Sequence, residues 1–152
     1  MEHKKIGGWL ILIGFQLIVT ILISIYVLLQ YKDLLKSEDW ITLKQLDSTD
    51  ALAFIRFSYY EIIMNILILL IAPIIIVRFF NMSSLFKDYY SIYMIVIVVL
   101  LIIDYLLITK IDNLADAKTN QITRSIFAYI IWGAIWISYL YKGKRPSQTF
   151  VN

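Results

Sequence analysis

The hydrophobic and polar positions of this 152-residue chain separate on a long scale, with four runs rich in Leu, Ile, Val and Phe divided by polar connections. The runs cover residues 6–31, 54–80, 89–109 and 122–141. At a rise of about 1.5 Å per residue, segment 54–80 reaches about 40 Å, more than a hydrocarbon core of about 30 Å. The pattern therefore predicts an all-α membrane protein: one membrane domain, residues 1–152, folded as an up-down bundle of four transmembrane helices. The first run follows MEHKK, which looks like the start of a signal peptide. It is far longer than a signal core and ends in QYKDLLK without a small-residue cleavage site, so it is read as a retained helix.

The polar residues inside the runs fall at helical spacing. Gln16, Thr20 and Ser24 form a stripe at i, i+4 and i+8 on the first helix, and Ser58, Glu61, Asn65 and Ala72 share a face of the second. Both faces are expected to point inward, away from lipid. Pro73 removes a backbone donor from the second helix and predicts a kink. Asp104 interrupts the third run, and the fourth carries Trp132 and Trp136 one turn apart beside the small pair Ala134 and Ser138. That pair offers an edge for a partner helix. Gly7, Gly8 and Gly14 leave room for close approach but form no small-xxx-small motif.

The connection 32–53 is acidic yet carries Leu34, Leu35, Trp40, Ile41, Leu43 and Leu46, enough apolar surface for a short interfacial helix after helix one. Asp47 or Ser48 is placed to cap the helix that follows, with Asp50 in its first turn. Tyrosine and tryptophan gather near the helix ends, among them Trp9, Tyr31, Tyr59, Tyr60, Tyr89 and Tyr141, where they read as interfacial anchors.

Composition agrees with a bilayer as solvent: 61% hydrophobic and 16% charged, with a mean hydropathy of +0.77. The net charge of +3 is spread through the connections rather than gathered on a face, which argues against nucleic acid and for anionic lipid. Four spans put both termini on one side. Lys4, Lys5, Arg78, Lys87, Lys142, Lys144 and Arg145 lie on that side in short segments, whereas the cations opposite share longer loops with acids. Orientation bias acts through short flanks, so both termini are expected in the cytoplasm.

Few residues could carry chemistry. Glu61 and Asp104 lie at similar depth in oppositely running helices, with Arg56 and Arg124 as available counter-charges. A carboxyl at that depth must be paired or hold its proton. It is an ion-paired staple between helices, a proton- or cation-carrying site in a transport path, or an accident of a lipid-facing position. Gln16 and Asn65 lie nearer mid-membrane, as interhelical hydrogen bonds or as ligand contacts. Trp132 and Trp136 are filler, interface anchors or a cage for a cation. The lone histidine is His3, cysteine is absent, and no glycine-rich phosphate loop or nucleophile elbow occurs. An enzyme, a metal site and a cofactor are therefore not expected.

The chain resembles a known family at its ends and at the close of its second helix. Gly7-Gly8-Trp9-Leu10, Phe79-Phe80, and the run from Arg124-Ser125 through Trp136-Ile137-Ser138-Tyr139 to Lys144-Arg145-Pro146-Ser147-Gln148-Thr149-Phe150-Val151 are similar to the bacterial membrane proteins catalogued as domain of unknown function 2569. The family pattern carries proline where Ser138 stands and valine where Pro146 stands, which bears on any shared kink in helix four. The resemblance implies four helices in a bacterial cytoplasmic membrane and no established activity. It also draws attention to Thr149, Phe150 and Val151, which either fold back on the bundle or dock on a partner. The sequence thus favours a non-enzymatic membrane protein acting through self-association or a membrane-protein partner. The alternative is a small proton- or cation-coupled transporter using the Glu61 and Asp104 pair.

Overall fold

The computed structural model of the protein describes residues 6–111 and 115–151. They form α1 (Leu10–Lys36), α2 (Glu38–Gln45), α3 (Thr49–Phe80), α4 (Phe86–Ile108), α5 (Ala115–Lys142) and α6 (Lys144–Thr149). Four of these, α1, α3, α4 and the Thr119–Lys142 part of α5, are long and apolar enough to cross a membrane. The protein is a multi-pass membrane protein of four spans with a short helix after the first.

The helices start and stop where local chemistry allows, which shifts several boundaries from the apolar runs. Gly8 takes φ +59°, a left-handed conformation that delays α1 to Leu10 instead of residue 6. At the other end nothing in Gln30-Tyr31-Lys32-Asp33 breaks a helix, so α1 continues past residue 31 to Lys36. Ser37 and Ser48 then restart the chain: the Ser37 hydroxyl accepts from the Trp40 N–H at 3.2 Å, and Ser48 accepts from Ala51 N–H at 3.0 Å. Ser48, rather than Asp47, is the cap, and α3 begins at Thr49 instead of residue 54. The helix runs on through Pro73 to Phe80. The tail adds α6, a turn not expected from the apolar runs.

Outward faces of the spans are apolar: Ile11, Phe15, Leu22, Leu70, Ile92 and Ile95 are all exposed in the chain, as suits a surface solvated by acyl chains. Inward faces follow the helical period. Leu10, Ile13 and Leu17 from α1 meet Ile68, Ala72, Ile75 and Phe79 from α3, Phe86, Tyr90, Met94 and Ile97 from α4, and Trp136 and Leu140 from α5. A smaller cluster of Phe57, Ile108, Ile111 and Ile122 holds the opposite end. α2 is anchored by buried Trp40, edge-on to Tyr59 at 6.0 Å and overlain by the Lys44 ammonium at 5.6 Å. Neighbouring spans pack in the order α1, α3, α4, α5, whereas α1 and α5 make little backbone contact.

Candidate functional site: a polar cavity between the spans

A cavity of about 630 Å³ lies in the half of the bundle away from the termini, between α1, α3, α4 and α5. Its length follows from the residues that line it, from Ile68, Ile97 and Tyr129 in the middle of the spans to Leu34, Phe54 and Gln121 near their ends. The polar faces of the helices converge on it. α1 contributes Thr20, Ser24, Gln30 and Tyr31, α3 Glu61 and Asn65, α4 Asp104, and α5 Gln121, Ser125 and Tyr129. In volume it falls within the range of about 300–1,000 Å³ that small-molecule pockets occupy.

Both intramembrane carboxylates therefore line one space. Asp104 is only 3% exposed, while Glu61 is half-buried. Tyr31 lines the same cavity, and Tyr60 precedes Glu61 on α3. Asn65 fixes the Glu61 side chain: its Nδ2 donates to the Glu61 carbonyl at 2.9 Å and to Glu61 Oε2 at 3.3 Å. This spacing of four residues is what brings the amide and the acid together on a helix. Tyr60 donates its hydroxyl to the Leu100 carbonyl, tying α3 to α4 beside the pair.

Gln16 lies outside this cavity, toward the termini. Its Oε1 accepts from the Tyr90 hydroxyl at 3.1 Å, and its amide is 3.9 Å from the Met94 sulfur, so it bridges α1 and α4. Arg56 and Arg124 are exposed. Arg124 lines a shallow recess with Asn120, Gln121, Ser125 and Ala128, and Gln121 and Ser125 border the main cavity as well. Tyr31, read from its position as an interfacial anchor, lines the cavity instead. The signal was present in the sequence, since Tyr31 continues the Gln16, Thr20, Ser24 stripe two turns further along the same face.

The end that carries the termini is built differently. Phe79 packs against Phe86 at 5.1 Å and Phe150 at 5.9 Å, and Phe150 stacks on Phe86 at 4.6 Å. Thr149 and Phe150 are buried within the chain, and Val151 is exposed. Gly14 faces the Phe79 ring so closely that a Cβ there would sit 2.8 Å from it, Gly7 faces the Arg145 guanidinium as closely, and Gly8 lies in ordinary contact with the same side chain. Trp9 meets Trp136 at 6.3 Å. Tyr141 donates its hydroxyl to Asp88, joining the end of α5 to the start of α4. Ala134 and Ser138 are exposed, and the close approach on α5 is made by Gly133, where a Cβ would lie 3.4 Å from Met94.

The segments that carry the family resemblance are thus neighbours in space: Gly7 to Leu10, Phe79, Trp136 and Arg145 to Phe150 meet at one end of the bundle. No curated protein and no solved structure matches the chain. The family described as "Protein of unknown function (DUF2569)" matches residues 3–151, nearly the full length, and the chain belongs to that family.

Proposed function

We propose that the protein is a small, non-enzymatic transporter that carries a cation or proton through its intramembrane cavity. The observation that carries this reading is the convergence of Glu61 and Asp104, from oppositely running helices, on one cavity whose other polar lining is neutral. Ionisable side chains at bilayer depth that face an interior cavity mark ion and proton pathways, and exchange of a proton for a cation on such acids is the elementary step of coupled transport. Asn65, held against Glu61, orients the acid toward the cavity. The short basic flanks support a plasma-membrane protein with both termini in the cytoplasm, so the cavity belongs to the outer half of the bilayer. Reconstitution into liposomes loaded with a pH-sensitive dye tests the reading. A cation gradient should drive proton flux that Glu61→Gln abolishes; intact, correctly inserted protein that moves no protons would retire it.

A second reading rests on α5. Ala134 and Ser138 present a small-residue edge to the outside, which supports self-association in the bilayer. Because the chain has no cysteine, Ser138→Cys provides a single thiol. Disulfide-linked dimers at high yield in native membranes, absent for Phe127→Cys, are the result this reading expects.

A further inference from the structure

The four spans are joined unevenly. α1 packs on α3, α3 on α4 and α4 on α5, whereas α1 and α5 share little backbone contact and meet through side chains, and two of the hollows are bordered by both of them. The main cavity occupies one half of the seam between them. Toward the termini a second hollow of about 270 Å³ continues the line, bordered by Leu12, Gln16, Ala128, Tyr129, Trp132 and Trp136. Tyr129 borders both hollows, so they are neighbouring compartments of one seam.

The chemistry changes along its length. At one end stand the two carboxylates, and at the other Trp132 and Trp136, whose rings lie nearly parallel, 19° apart in plane with centroids at 6.1 Å. Trp132 is half-exposed and ten residues from the end of α5, about 15 Å along the helix axis. A tryptophan that deep stands apart from the interfacial belt where membrane tryptophans collect. Its ring face is a surface for flat apolar groups and for positive charge. Arg124 stands exposed on α5 and borders a recess that shares Gln121 and Ser125 with the main cavity.

We infer that the seam between α1 and α5 binds a lipophilic aromatic cation, taken laterally from the bilayer, with its charge toward Glu61 and Asp104 and its aromatic body against Tyr129 and Trp132. This inference rests on the transport reading above and names its substrate class. A hydrated inorganic cation gains nothing from the tryptophan end, and a neutral lipid gains nothing from the acids. A cation that is also greasy uses both.

The test uses the full chain in zwitterionic lipid nanodiscs with radiolabelled tetraphenylphosphonium as probe. Saturable binding is expected, weakened at least tenfold by Glu61→Gln and about tenfold by Trp132→Leu, and unchanged by Phe127→Leu, which removes an exposed aromatic outside the seam. Trp132→Phe, with folding checked by gel filtration, should recover part of the loss. Absence of saturable binding overturns the inference, as does binding indifferent to both Glu61→Gln and Trp132→Leu. Binding lost with Glu61→Gln but untouched by Trp132→Leu also overturns the seam assignment. Proton flux dependent on Glu61 in the liposome assay would keep the transport reading standing in each of these cases.

Discussion

The two ends of the bundle solve opposite problems with the same four helices. At the terminal end, Phe79, Phe86 and Phe150 fill the space between elements distant in sequence, and glycines let rings and a guanidinium press against backbone. At the other end the spans leave about 630 Å³ unfilled and turn acids, hydroxyls and amides toward it. In a bilayer, water is not available to drive apolar association, so close packing and hydrogen bonds must hold helices together. The contrast teaches a division of labour: the packed end holds the fold, which allows the open end to keep buried carboxylates.

That division makes graded predictions for unfolding in micelles, followed by denaturant titration with circular dichroism. Phe79→Ala removes the ring that touches Phe80, Phe86, Phe150 and Gly14, and it should cost about 3–5 kcal/mol. Gly14→Leu drives a side chain into that ring and should cost about 1–3 kcal/mol through overpacking. Ser48→Ala removes the cap of α3 at the open end and should cost about 1 kcal/mol, with faster hydrogen exchange confined to the first turn. Glu61→Gln keeps shape and an acceptor for Asn65, so the unfolding midpoint should move by about 0.5 kcal/mol or less while proton flux disappears. If Glu61→Gln unfolds the protein as strongly as Phe79→Ala, the acid is a structural staple and the division is wrong.

Much of this was legible in the sequence. Apolar run length gave the four spans because a bilayer demands about twenty such residues, and the spacing of Gln16, Thr20, Ser24, Glu61 and Asn65 gave the inward faces. Boundaries were less legible. Tyr31 to Lys36 remains helical because no residue there stops a helix, and Gly8 delays the start through a positive φ that composition does not encode. The family resemblance picked out Gly7, Gly8, Phe79, Arg145 and Phe150 without a reason for their association. The reason is tertiary: they form one packed junction. The cavity was harder still. Tyr31 looked like an interfacial anchor, and only the packing of the four spans sets it on an open volume shared with the two acids.

The central claim is that polar positions from different spans face a single water-accessible cavity inside the membrane. The absence of native cysteine permits a direct measurement by single thiols and a charged, membrane-impermeant methanethiosulfonate in proteoliposomes. Thr20→Cys on α1 and Ser125→Cys on α5, which border the cavity and are partly exposed, should be labelled, whereas Ile25→Cys and Ile131→Cys, which face outward among acyl chains, should stay unmodified. Labelling of the outward pair with the cavity pair inert would contradict the account.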